Sequence, residues 1–299
     1  MTPKDFPILL TKRKLIDPID RSINKLKEIQ THIDKDLHIL LLHGLFVMAV
    51  SRLEVAITDS LKYLLKNFPQ KIDKEEFKFP KEDFFENYFT LIPSAVERFV
   101  LRLSRKSFQE YFGDYVEKMS IDITPADQDL VLQIQEINAT RNLLLHNDLV
   151  INDEYIQASG EKCRSKEKGA RLKLDLQYIT EAIKLMLVLN EAIQKKLLTK
   201  YDEYTNIAAN KRLWKFIFDS PVMPYEDFWE VNEKTDSIYR RKKGEYEDVI
   251  SNSERLLLEL WRSHFNEGDL KGFDMRHFDK INQWKVLFLI SIASDFSFS

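Results

Sequence analysis

The chain has 299 residues, with 45 Lys+Arg against 48 Asp+Glu, a formal net charge of −3, 44% hydrophobic and 31% charged residues. This is the composition of a globular chain with ample length to bury a core, in one large or two modest domains. Seven Gly and nine Pro are too few to punctuate many short strands, which argues against an all-β architecture and for long helices.

A first helix is predicted from about Asp17-Pro18 through Ile33, with Ile19, Ile23, Leu26 and Ile29 at helical spacing. A second, from about Asp36 to Phe68, ends before Pro69 and is apolar on more than one face, so it belongs between other helices. Its most apolar run, Leu37 to Val50, contains His38 and His43 and stops at Arg52. A membrane span needs about 20 apolar residues, so no membrane association is expected. After a charged, aromatic connector (71–82), helical pattern resumes from about Phe84 to Phe112, interrupted or kinked near Pro93.

Thr124-Pro125, with Asp127 in the first turn, opens a helix that runs through about His146. Residues 149–173 read as a loop with room for a short hairpin, and Asp175 caps a long helix to about Tyr204. Asp219-Ser220-Pro221 and Pro224 then break the chain, 240–244 form a basic turn, and two more helices fit Ser253–Phe265 and Phe278–Ala293. The expected organisation is a helical domain over 1–203 and a C-terminal helical region over 204–299, either a second domain or an extension packed on the first. The lone Cys163 forms no internal disulfide, and the start of the chain lacks an apolar signal core; a cytoplasmic setting is expected.

One residue is out of character. On a wheel of the helix after Thr124, Leu130, Ile134, Ile137, Leu144 and Leu145 form an apolar stripe, and Arg141 falls near its middle. An unpaired guanidinium cannot be buried there at a tolerable cost. Either a carboxylate partners it, or the stripe faces a cleft or a second subunit. Glu54, in an apolar row of the second helix with Val47, Val50, Ile57 and Leu61, is the candidate partner. Asn142 and His146 share a face, but Arg141 lies about 140° from His146 on the wheel. One helix therefore cannot easily focus Arg141 and His146 on one small target, whereas two copies across a twofold axis can. The alternative from the residues alone is a structural Arg–carboxylate pair and a His at a helix terminus.

The string Ala139-Thr140-Arg141-Asn142-Leu143-Leu144-Leu145-His146-Asn147 resembles the signature of HEPN domains, in which an Arg, often followed by a polar residue, precedes a His by four to six positions. The context agrees: the string closes a helix, follows a long apolar helix carrying Glu54, and precedes a loop and another long helix. The resemblance covers roughly residues 15 to 203. It implies an all-α antiparallel bundle that dimerises with its motif helices at the interface and, in many family members, a metal-independent endoribonuclease. On that basis His146 is the acid–base residue, Arg141 the phosphate-binding or transition-state-stabilising residue, and Asn142 the residue that orients the site, with Glu54 and Asn147 in support. Cleaving RNA through its own 2′-hydroxyl needs proton transfer near neutral pH and stabilisation of a charged phosphorane, which His and Arg supply. The implied products are 2′,3′-cyclic phosphate and 5′-hydroxyl ends, with no cofactor and no metal. The roles open to the family include defence, stress and toxin functions with an antitoxin or defence partner, and also inert helical interaction modules. Some HEPN toxins carry a modifiable Tyr two residues after the His; here that position is Asp148.

Two basic groups are candidates for RNA contact. Arg98, Arg102 and Arg105 follow helical spacing, with Lys106 beside them; Lys162, Arg164, Lys166, Lys168, Arg171 and Lys173 lie just beyond the motif helix. His32, His38 and His43 lack metal-ligand spacing, and His264 and His277 read as surface or capping residues. No phosphate-binding glycine loop occurs, and neither Ser263-His264 nor Cys163 has the setting of a nucleophile.

Overall fold

A computed structural model of the chain describes residues 8–34, 36–79, 91–218 and 229–240, with 283, 285 and 286. Among these the fold is predominantly helical, with one two-stranded hairpin. The chain divides into two compact units, one over 12–202 and the other combining 1–11 with 203–299. The first eleven residues thus group with the C-terminal segment, whereas the helical domain was expected to start at residue 1.

In the first unit, α1 (Lys12–His32) starts before the Asp17-Pro18 signal and carries Pro18 inside it. Leu15 and Ile16 are buried with Ile19, Ile23, Leu26 and Ile29, and that burial outweighs the one backbone hydrogen bond proline removes. α2 (Ile39–Asn67) begins where His38 Nδ1 accepts from the Leu40 N–H, and it stops ahead of Pro69 as predicted. It packs on α1 and also meets helices α3, α4, α5 and α7, whose bounds follow, so it sits centrally. By length and composition α2 is also apolar enough to cross a membrane, with 33% of its most apolar window buried.

The helical stretch expected over 84–112, interrupted or kinked near Pro93, is two helices where it is described, residues 80–90 lying outside the described set. α3 (Leu91–Leu103) holds Pro93 in its first turn, where a missing N–H costs little. The break falls instead at 104–107. There Ser107 starts α4 (Phe108–Met119) with a reciprocal cap: Ser107 Oγ accepts from the Glu110 N–H (3.3 Å), and Glu110 Oε2 accepts from the Ser107 N–H (3.1 Å).

α5 (Pro125–Asn147) has the predicted Thr124 cap, and α7 (Leu176–Lys200) the predicted Asp175 cap, whose Oδ1 accepts from the Tyr178 N–H at 2.9 Å. Between them the expected loop contains a short helix, α6 (Asp153–Ser159), and a single antiparallel bridge, Val150 to Arg171. α7 returns along both α1 and α5. Its Asn190 donates to Ser22 Oγ (3.1 Å), and its Lys196 pairs with Asp127 (3.0 Å).

In the second unit, α8 (Asn206–Phe218) was not anticipated. Arg212 donates to the Ile8 carbonyl (2.7 Å). Strands β1 (Trp229–Asn232) and β2 (Ser237–Arg240) pair antiparallel with Val231 opposite Ile238. The turn between them presents Asp236, whose carboxylate accepts from the Asn206 and Ile207 N–H groups at the start of α8. The helices expected over 253–265 and 278–293 lie outside the described residues, except that 283, 285 and 286 are helical; 241–244 also lie outside.

Candidate functional site

The site is built on the C-terminal half of α5. The helix is fixed at its start by Thr124, whose Oγ1 accepts from the Asp127 N–H (3.2 Å), while Asp127 accepts from the Thr124 N–H (2.7 Å). Partial burial would raise the Asp127 carboxyl, but the Thr124 donors and Lys196 outweigh it and hold the group below its ordinary range.

Along the helix the apolar stripe emerges from the bundle. Leu130, Ile134 and Ile137 are buried, the Arg141 side chain is 18% exposed, and Leu145 is 52% exposed. The wheel had placed Leu145 in the core stripe. The bundle's own helices cover that side of α5 only as far as Arg141, and the buried leucine of the last turn is Leu143, on the opposite side.

Arg141 Nη2 donates to Glu54 Oε1 of α2 and to Asn138 Oδ1 (3.2 Å), and Asn138 Nδ2 donates to the same Glu54 oxygen at 2.8 Å. The Glu54 side chain keeps 34% of its surface in solvent, and the Arg141 Nε is buried without a partner. Asn142 and His146 are exposed; Asn147 is half-buried and donates through Nδ2 to the Val150 carbonyl (2.5 Å). Two successive residues after the helix are left-handed, Asp148 (φ 46°) and Leu149 (φ 63°), and Leu149 is buried. Asp tolerates this region, but a leucine there is strained by about 1–2 kcal/mol.

The two basic groups differ. Arg98 donates to the Glu76 and Lys78 carbonyls and lies over the Phe79 ring, and Arg102 pairs with Asp73 and Glu76, so both are turned onto the 73–79 connector. Arg105 is exposed. Beyond the motif helix, Lys162 pairs with Asp129 (2.6 Å), Lys168 with Asp153 (2.5 Å), Arg171 with Asp148 (2.8 Å) and Lys173 with Asp175 (2.7 Å), while Lys166 is exposed. Pairs of this exposed kind are worth about 0–1 kcal/mol, so they hold their lysines loosely.

Arg164 is different in kind. Its Nε donates to Glu136 Oε1 (2.9 Å), Nη2 to Thr140 Oγ1 (3.1 Å) and Nη1 to the Lys173 carbonyl (2.8 Å). Its guanidinium stacks 3.7 Å from the centroid of the Tyr178 ring. Glu136 is buried and also accepts from Thr140 (2.6 Å), Tyr155 (2.9 Å) and Tyr178 (2.7 Å). Burial first, and then the Glu136 charge, push both phenols above their ordinary range, so they stay protonated as donors. This network was missed in the sequence. Glu136 lies about 140° around the helix from Arg141, where Leu132, Ala139 and Leu143 alternate with Asp129, Gln133 and Thr140, so it does not stand out from its row as Arg141 does. Nothing in the sequence marks Tyr155 or Tyr178 as its partners. Glu136 and Tyr178 also line an open groove of about 380 Å³ between α5 and α7, with Ile137, Lys162 and Leu185.

Among the described residues no group of three or more His, Cys, Asp or Glu side chains is placed to hold a metal ion. No protein-family model, no curated protein and no solved structure matches this chain.

Proposed function

We propose that the protein is a metal-independent endoribonuclease of the HEPN type that works as a homodimer. The observation that supports this most directly is the place where the Arg141-Asn142-x-x-x-His146 string sits. It occupies the end of α5 at which the apolar stripe leaves the bundle, with Arg141 tethered by Glu54 and His146 open to solvent. A second feature agrees with a twofold partner. Leu41, Gly44, Met48, Ser51 and Val55 make one stripe of α2, with Leu41 60% and Val55 48% exposed. An apolar helix face left open in this way marks an interaction surface.

In this reading His146 moves the proton and Arg141 faces the reacting phosphate. The 2′-oxygen of RNA attacks the adjacent phosphorus as its proton is removed, and the bond to the 5′-oxygen breaks as that oxygen gains a proton. A 2′,3′-cyclic phosphate and a 5′-hydroxyl result. Lys166 and Lys168 supply backbone contacts beside the site, and Lys162, held by Asp129 about 25 Å back along α5 from His146, contacts the RNA farther along its length. A cytoplasmic setting and an antitoxin or defence partner belong to the same proposal.

A second reading, an inert helical interaction module, draws on one observation: within a single chain Arg141 already has Glu54 and Asn138 as partners. The two readings separate on cleavage of a mixed RNA pool in excess chelator. The nuclease reading expects cleavage that His146→Ala abolishes and Arg141→Ala reduces by about a hundredfold or more, the scale for losing a group that stabilises developing charge. Cleavage by His146→Ala at the wild-type rate would remove the site assignment, and no cleavage by the wild-type chain would favour the module.

A further inference from the structure

We infer that Glu136 and Arg164 are positioning residues, a latch that sets the backbone carrying His146. The inference rests on the nuclease reading for its effect on turnover, but not for its structural content.

The connection is continuous. Arg164 comes from a segment without regular structure and is drawn inward to Glu136 and Thr140 on the motif helix. Its third bond, to the Lys173 carbonyl, fixes the far end of the same loop. From there the Leu172 N–H donates to the Leu149 carbonyl (2.8 Å), the Ile151 N–H to the Ala170 carbonyl (2.9 Å) and the Gly169 N–H to the Ile151 carbonyl (2.9 Å). Those bonds hold the left-handed pair Asp148-Leu149, the first residues beyond His146 and Asn147. A leucine at positive φ persists only where its surroundings leave no alternative. The loop strapped across it supplies that constraint, and the loop is itself anchored by Arg164.

Energetics point the same way. A buried ion pair contributes little to stability against an apolar replacement, and its best-attested use is to select one conformation. Glu136 gathers donors from α5, α6, α7 and the loop, so its satisfaction depends on all four being in register. Arg164 as a direct RNA contact fits less well: three of its N–H groups are committed inside the chain and one face of the guanidinium covers Tyr178.

The test uses the full chain with Arg164→Lys and Glu136→Gln. Lysine keeps a cation beside Glu136 but cannot reach the Lys173 carbonyl as well; glutamine keeps the shape without the charge. In both variants the Gly169, Ile151 and Leu172 amides are expected to exchange at least about tenfold faster relative to α1 amides, a local opening rather than global unfolding. The backbone amide resonances of His146 and Asn147 are expected to shift, and kcat to fall about tenfold with KM unchanged, the pattern of a misplaced catalytic group. Wild-type exchange at the three loop amides, or unshifted His146 and Asn147 amide resonances, in either folded variant overturns the latch. Should neither variant fold, the wild-type chain decides. The latch requires those three amides to exchange as slowly as the core of α5, and fast exchange overturns it. If the wild-type chain cleaves no RNA, the nuclease reading falls alone, while exchange and the His146 and Asn147 amide resonances still decide the latch.

Discussion

The two arginines bonded to α5 offer a quantitative contrast. Both pair with a glutamate, but the side chain of Glu136 is 6% exposed and that of Glu54 is 34% exposed. Replacing Arg164 with alanine leaves a mostly buried carboxylate, at the edge of the groove between α5 and α7, without its cation. Three neutral donors remain to it, from Thr140, Tyr155 and Tyr178, so the loss is expected at the lower end for a broken buried pair, about 3 kcal/mol. Replacing Arg141 leaves Glu54 with the Asn138 amide and a third of its surface in water, and the expected loss is about 1–2 kcal/mol. For a unit of this size that is a fall in Tm of about 6–12 °C for Arg164→Ala against about 2–8 °C for Arg141→Ala. The assay must be far-ultraviolet circular dichroism during thermal or urea unfolding. The chain's four tryptophans are at 214, 229, 261 and 284, so residues 12–202 contain none, and their helices are followed directly by circular dichroism. An Arg141→Ala loss equal to or larger than that of Arg164→Ala would refute the burial argument.

Two further outcomes are expected. Leu41→Glu should leave the stability of the single chain within about 0.5 kcal/mol, because the side chain is largely exposed there, but a twofold interface uses the position twice. Loss of that apolar contact from both copies is worth about 2–3 kcal/mol, roughly thirtyfold or more in the dimer dissociation constant by sedimentation equilibrium, and an unchanged constant would move the interface elsewhere. Acid unfolding should be carried in part by Asp127 and Asp73, both held below the ordinary value of 3.8 against the opposing effect of burial, by Thr124 and Lys196 in the first case and Arg102 and Lys118 in the second. A carboxylate with a depressed folded-state pKa adds stability above its unfolded pKa and loses it as pH falls through the folded one. Stability should therefore be level above about pH 5 and fall progressively below pH 4, with Asp127→Asn flattening the slope; an unaltered slope would count against that assignment.

Local signals along the chain were informative where they involved neighbours in sequence. Thr124-Pro125 with Asp127, Asp175, and the stop before Pro69 each specify a helix end through groups within a few residues, and each end is found where they imply. Ser107-Phe108-Gln109-Glu110 carries the same kind of local signal, a capping signature, and the break falls there rather than at Pro93. Pro18 and Pro93 show the limit: a proline disfavours helix only by the bond it removes, and its position in the first turn or the burial around it decides the outcome. α6 and α8 were not anticipated. α8 leans on a distant cap, the Asp236 carboxylate 30 residues on from Asn206.

The chain's own sequence settled that long helices dominate, because hydrophobic period, caps and prolines act over a turn or two and need no partner to be read. It also marked Arg141 as a charge in an apolar row. Glu54, another charge in an apolar row, could be named from the sequence as the candidate partner of Arg141, but how far each charge is buried depends on groups far away along the chain, and only packing brought Arg164 to Glu136. Two arginines that look alike in a string thus ended beside carboxylates in different surroundings, Glu54 at the rim of the bundle and Glu136 in its interior, since the free energy of a charge is set by what surrounds it in space.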